Sequence, residues 1–269
     1  YYDNTYKLCR QNSSPATGEA KPFKNIIMLV LESIDSDTLH SSYEQEPLMP
    51  FLQKLQHSSL TFSSFFSAGQ RSSVALTAMF SGLPEQLDRN LLWEVPLKNM
   101  DSFPRALKAK EFKSVYFHGG DLSFEQQEQY LKKIGFDEVH GLKLSEQTSA
   151  GSWGKLDGEV FASMQDWLRE HQQYRSQQPF LSVIATMSTH HPFERPKDWQ
   201  VKKVPKNYHD DFQESARYLD AELERFFKWF KASPMHKDTL LVILGDHPRR
   251  PYLQTPHRKG VATPPNIPL

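Results

Sequence analysis

Cysteine is almost missing: Cys9 stands alone among 269 residues. That excludes an intrachain disulfide and any zinc site built from several thiolates. Net charge is missing too. Thirty-two Lys and Arg balance 32 Asp and Glu, so the basic excess that marks bulk nucleic-acid binders is not there. No apolar run approaches the roughly 20 residues that cross a bilayer. There is neither an internal repeat nor a low-complexity tract. What remains suits one large domain with a substantial core. Histidine is in good supply, with eleven. Tyr1 to Phe23 is polar, with Ser, Pro, Gly and Asn, and reads as a linker. Pro264 to Leu269 (PPNIPL) reads as the approach to another strand. The expected organisation is a linker over 1–23 and one domain over 24–269, part of a longer protein.

Four short apolar runs each end in acid or imidazole side chains. Asn25 to Leu31 (NIIMLVL) runs into Glu32, and Ser114 to Phe117 (SVYF) into His118, with Asp121 beyond. Phe180 to Met187 (FLSVIATM) runs towards His190 and His191, and Thr239 to Leu244 (TLLVIL) into Gly245, Asp246 and His247. Continuous β-branched runs read as strands buried on both faces of a parallel sheet. In open α/β sheets, ligands sit beyond the carboxyl ends of the strands. The chain is thus predicted to bring acids and histidines to one rim.

The intervening sequence alternates accordingly. Met49-Pro50-Phe51-Leu52 opens a helix, with proline tolerated in its first turn. Leu60 to Phe66 (LTFSSFF) is predicted as a strand. Val74 to Phe80 is a helix ended by Gly82 and Pro84. Further helices are expected at Phe103 to Lys110, at Phe124 to Lys133 and around Val160 to Leu168. The clearest amphipathic helix carries Phe212, Ala216, Leu219, Leu223, Phe226, Phe227 and Phe230. Alternation of strand and helix argues for a layered α/β fold.

Gly-Asp-His after a buried strand sets a carboxylate and an imidazole side by side, and both bind divalent cations such as zinc or manganese. A capped turn with a surface histidine is the plainer explanation of Asp246 and His247. Glu32 at a matching strand end weighs against it, because a carboxylate near a core is costly unless paired. Ser72 and Ser73 open a helix, where backbone N–H groups and the dipole favour phosphate. A serine hydroxyl becomes a nucleophile when a cation lowers its pKa, although a helix cap explains a serine there equally. Arg71 can pair with phosphate oxygens or be a solvated charge. His190 and His191 either belong to a polar loop or supply a general acid or a hydrogen-bond donor to a leaving oxygen. Trp153 and Lys155 lie in a glycine-containing loop, where Trp153 is either a packing aromatic or the wall of a polar headgroup pocket, and His257 is a candidate to return to the site.

The set NIIMLVLES, MPFLQKL, LTFSSFFSAGQRSSVALTAMFSGLP, FHGGD, IGFDEV, WGKLDGEVF, MSTHHPF and LGDH, in that order, resembles the alkaline phosphatase/sulfatase superfamily. More narrowly, it is similar to the lipoteichoic-acid synthase and phosphoglycerol transferase branch. The resemblance covers Asn25 to about His257. It implies a central, mostly parallel sheet sandwiched by helices. It also implies one divalent metal, manganese or zinc, with room for a second, held by Glu32, Asp246, His247 and the nucleophile Ser72. His190 matches a substrate-side histidine, and Trp153 and Lys155 fall where the family places headgroup-pocket residues; Arg71 and His257 are assigned to substrate binding from their own place in the sequence. The reaction implied moves a phosphoglycerol-type headgroup from a phospholipid to a glycan or polyglycerol-phosphate hydroxyl through a serine-linked intermediate. Two enzymatic alternatives share the fold: a phosphoethanolamine transferase and a phosphatase. A third alternative is a catalytically silent lipid-binding or regulatory domain. The place implied is the outer side of the bacterial cytoplasmic membrane, with residues 1–23 leading out of a membrane anchor. Serine stands where threonine is usual in this branch. The C/S-x-P-x-R arrangement of true sulfatases is not found at Ser72, which disfavours sulfate ester hydrolysis.

Overall fold

In the computed structural model, which describes residues 23–83, 92, 101–142, 154–175 and 177–249, all four predicted apolar runs form strands. They are β1 (Asn25–Leu31), β2 (Lys113–His118), β4 (Phe180–Ala185) and β5 (Thr239–Gly245), joined by a short β3 (Glu138–His140). The order across the five-stranded sheet is β3, β2, β4, β1, β5, and each neighbouring pair is parallel. β1 is therefore an interior strand, with Val30 beside Ala185 on one side and Leu244 on the other. That register levels the carboxyl ends of three strands.

Parallel strands need crossover connections. The chain supplies α1 (Ser36–His40), α2 (Pro50–Gln56), α3 (Ser72–Ser81), α4 (Phe103–Lys108), α5 (Gln127–Lys133), α6 (Asp157–Arg175) and α7 (Tyr208–Ala232). Strand side chains alternate between faces. Ile27, Leu29 and Leu31 pack with Phe161, Met164 and Leu168 of α6 and with Phe212, Leu219, Leu223 and Phe226 of α7. Val30, Tyr116, Val183 and Leu244 pack on the other face with Leu76 and Phe80 of α3 and Tyr130 and Leu131 of α5. The result is the predicted sheet between helical layers. Each fully buried Leu or Phe contributes about 1.5–3 kcal/mol, and this is why α7, with one apolar face, docks firmly.

Two helix ends show how local sequence meets tertiary structure. The Met49 side chain makes no cap bond for α2, despite Pro50 in the first turn. Asp220 of α7 supplies the cap, accepting the N–H groups of Phe51 at 2.8 Å and Leu52 at 2.9 Å. α3 ends at Gly82, whose φ of +66° is a left-handed conformation that glycine adopts without penalty.

The predicted strand at Leu60 to Phe66 is not formed. Apart from a single bridge at Phe66, the segment is an exposed loop, with Leu60 81% and Phe62 50% accessible. Its apolar alternation finds no described strand to complete a ladder, and alternation alone does not make a strand. The helix predicted over Phe124 to Lys133 is split: a 3-10 turn over Phe124–Gln126 precedes α5, and Glu125 and Gln126 take φ of 50° and 58°. Asp121 binds the N–H and hydroxyl of Ser123, both at 2.8 Å, and fixes a turn there first. β4 stops at Ala185, two residues short of the predicted Met187, because the backbone beyond it is held elsewhere, as described below. None of the described helices is long and apolar enough to cross a membrane.

Candidate active site

Glu32 leaves β1 at its carboxyl end and is only 7% exposed. Its backbone is tied to the next strand end: Glu32 N–H donates to the Thr186 hydroxyl at 3.0 Å, and the Thr189 hydroxyl donates to the Glu32 carbonyl at 2.6 Å. On the other side, Asp246 N–H donates to the Leu31 carbonyl at 3.1 Å, extending the β1–β5 ladder by one rung. The Asp246 carboxylate accepts the N–H groups of Ser33 at 2.8 Å and His247 at 2.7 Å. Sheet register therefore sets the two carboxylates and the imidazole face to face.

Their ligand-capable atoms lie within 4.8 Å of one another. His247 Nε2 is 3.5 Å from Glu32 and 3.4 Å from Asp246. The other ring nitrogen, Nδ1, lies 2.9 Å from the Pro248 carbonyl, which can only accept. In the neutral ring the proton sits on Nδ1, and the Nε2 lone pair faces the cluster, the arrangement of a metal-ligating histidine.

Ser72, the first residue of α3, closes the group. Its hydroxyl donates to Glu32 Oε2 at 2.9 Å and lies 3.2 Å from His247 Nε2. Ser73, the competing serine, is instead buried, so helix geometry separates two residues the sequence left equivalent. α3 also aims the positive end of its dipole at this point.

The electrostatics fit a cation. Burial works against ionised Glu32, yet the nearby rings of His247 and His190 and the Ser33 hydroxyl outweigh it and hold its pKa below the usual range. Burial, then repulsion from Glu32, pushes Asp246 well above its usual value, against the opposing N–H bonds. Two buried carboxylates this close cannot both ionise cheaply without a positive charge between them. Two carboxylates, one imidazole and a hydroxyl form a donor set suited to zinc or manganese.

The remaining predicted residues divide. His190, half-buried after β4, has Nδ1 2.7 Å from the His191 carbonyl, which leaves Nε2 as the acceptor in the neutral ring. It lines a pocket with Lys155, Leu156, Met187, His191 and Glu194. Lys155 is placed by its own backbone, donating to the Gly119 carbonyl at 3.0 Å. Arg71 is exposed and precedes α3 without a side-chain cap bond. Trp153 and His257 lie outside the described residues. Asp121 is spent on the Ser123 turn.

One residue near the site drew no role from sequence reasoning. His118, at the end of β2, lies close enough to Glu32 and His190 to be affected by both charges. Burial lowers its pKa. Gly120 N–H donates to its Nδ1 at 3.0 Å, so the neutral ring carries its proton on Nε2. The available signal was its place at a strand end, which it shares with Glu32 and Asp246.

The sequence profile of the Sulfatase family matches residues 24–263. Lipoteichoic acid synthase 1 of Bacillus subtilis (strain 168) is 32% identical over 244 residues, covering 86% of this chain and 37% of that protein. The lipoteichoic acid synthase LtaP from Listeria monocytogenes superposes with a TM-score of 0.84 at 22% identity, over 96% of this chain and 67% of that one. Streptococcus pyogenes phosphoglycerol transferase GacH, solved with sn-glycerol-1-phosphate, gives a TM-score of 0.63 at 16% identity, over 84% and 61% of the two chains. The chain therefore belongs to the sulfatase family of enzymes and has the alkaline-phosphatase-like fold. It spans little more than a third of the length of the Bacillus synthase.

Proposed function

We propose that this domain transfers a phosphoglycerol-type headgroup from a phospholipid to a hydroxyl of a glycan or polyglycerol-phosphate chain, with Ser72 as the nucleophile. The observation that carries the reading is the Ser72 hydroxyl, 2.9 Å from Glu32 and 3.2 Å from His247, closing a buried cluster with Asp246. The similarity to lipoteichoic acid synthases, and the fold shared with a phosphoglycerol transferase, supports the choice of headgroup.

Glu32, Asp246, His247 and Ser72 would hold one divalent cation. When bound, it would lower the serine pKa and stabilise negative charge on phosphoryl oxygens. The protein's own groups divide the rest. Ser72 Oγ gives its proton to Glu32, its hydrogen-bond acceptor, and attacks the phosphorus of the diester. The bond from phosphorus to the diacylglycerol oxygen breaks, and protonated His190 gives that oxygen its proton. His118, with Nε2–H fixed, donates to a non-bridging phosphoryl oxygen, and Arg71 pairs with another from the rim. The acceptor hydroxyl then gives its proton to His190 and attacks phosphorus, and Ser72 leaves, taking back the proton that Glu32 holds. Lys155 lines the approach of the glycerol group, and Trp153 and His257 are assigned to substrate binding on their place in the sequence. The site works at the outer face of the cytoplasmic membrane, where a lipid donor is presented.

The test is metal-dependent release of diacylglycerol from phosphatidylglycerol vesicles, with phosphatidylethanolamine vesicles in parallel. Intact mass spectrometry should find a phosphoglyceryl group on Ser72 after rapid quench. Release from phosphatidylethanolamine alone would replace the headgroup assignment. An adduct on any other residue would overturn the nucleophile.

A further inference from the structure

The carboxylate of Asp157, in the first turn of α6, is fully buried and turned away from its own helix. It accepts the Met187 N–H at 2.7 Å through Oδ1, and the Ser188 N–H at 3.3 Å and 3.2 Å through its two oxygens. Ser188 answers, its hydroxyl oxygen accepting the Asp157 N–H at 3.2 Å. These bonds take the backbone of the turn between β4 and His190, and His190 N–H in turn donates to the Met187 carbonyl at 2.8 Å. Just upstream, Gly154 and Lys155 lie against Gly119, with Lys155 N–H on its carbonyl. A side chain at Gly154 would collide with that carbonyl, and its φ of +151° suits glycine alone.

The geometry points to Asp157 as a positioning residue: residues 154–157 form a clasp that holds the end of β2, carrying His118, and the end of β4, carrying His190, at a fixed separation across the site. A buried carboxylate needs several donors to be tolerated. All three contacts its oxygens accept here come from Met187 and Ser188, in the turn that leads to His190. A solvent-facing acid in the first turn would have satisfied α6 equally well by capping its own N–H groups, so the helix alone does not explain this arrangement. The role in turnover rests on His190 acting as proposed above. The clasp itself does not.

The test uses the full chain with manganese, comparing Asp157→Ala, Asp157→Asn and Ser188→Ala with wild type. Diacylglycerol release from phosphatidylglycerol vesicles needs a proton on its leaving oxygen. Cleavage of bis(p-nitrophenyl) phosphate does not, since nitrophenolate leaves unaided. Asp157→Ala should lower kcat on vesicles about 100-fold, the cost of a misplacement of about 1 Å, with KM and metal content held and the first-turnover burst of nitrophenolate, which precedes any proton transfer to His190, nearly unchanged. Asp157→Asn keeps one acceptor oxygen for Met187 and should recover part of the loss. Ser188→Ala removes one bond only and should show the same bias more weakly, which guards against Asp157→Ala failing to fold. Equal losses on both substrates, or wild-type kcat on vesicles in folded Asp157→Ala, would overturn the role. The His190 ring resonances, read by NMR, should shift in these variants even if wild type transfers nothing. Unshifted resonances would refute the clasp itself, whereas an inactive wild type would refute only the transferase reading.

Discussion

Replacing Ser72 by alanine deletes one half-buried oxygen, and its structural and chemical costs should differ greatly. In the fold that oxygen makes one hydrogen bond to Glu32 at 2.9 Å and touches His247 at 3.2 Å. Glu32 keeps the Ser33 hydroxyl at 2.7 Å on its other oxygen, so no carboxylate is stripped of partners. Loss of one such bond costs about 1 kcal/mol, which in a chain of this size lowers Tm by roughly 2–4 °C. Removal of a nucleophile costs about 10⁴- to 10⁶-fold in kcat, or about 5–8 kcal/mol of transition-state stabilisation. Differential scanning fluorimetry and diacylglycerol release, run on one preparation, separate the two. The expected variant is folded, silent and free of adduct, while Ser73→Ala keeps its turnover. Wild-type turnover by Ser72→Ala would refute the assignment of the nucleophile and the reason given for its place beside Glu32.

Glu32→Gln should weaken manganese binding by at least about 100-fold, measured by calorimetric titration; unchanged affinity would put the cation elsewhere. Burial raises Asp220 from the usual 3.8 to about 6 in the folded state, against the bonds from Phe51 and Leu52. An acid with a raised folded pKa lends stability that is fully present below its unfolded value and lost as pH rises through about 6. Two units correspond to at most about 3 kcal/mol. Urea titrations at pH 5 and pH 8 should show a smaller difference for Asp220→Asn than for wild type; an equal difference would assign the titration to other groups. Gly154→Ala should destabilise the fold by about 1–3 kcal/mol through its clash with the Gly119 carbonyl, and an unchanged Tm would contradict the tight approach.

Much of the sheet was legible because its strands are apolar along their length, even at the outer strand Thr239–Gly245, where Leu240 is 38% exposed. NIIMLVL and TLLVIL allow little else, and the edge strand Glu138–His140, short and half exposed, left no such trace. α7 was legible because one face carries Phe212, Leu219, Leu223 and Phe226 at helical spacing. Leu60 to Phe66 misled because its apolar residues imitate a half-buried strand while no described neighbour pairs with them. The split before α5 was hidden because a side-chain bond from Asp121, not hydropathy, starts the turn.

Sequence by itself determined which residue types stand at strand ends, since chain order places Glu32 after one apolar run and Asp246 and His247 after another. Only the tertiary structure decided that these ends meet. Glu32 and Asp246 become neighbours because β1 pairs with β5 in a register that sets Leu31 beside Gly245, and register between strands far apart in sequence is fixed by packing on both faces of the sheet. The choice of Ser72 over Ser73 is of the same kind: adjacent residues on a helix face different ways, and only the docked position of α3 says which way the site lies.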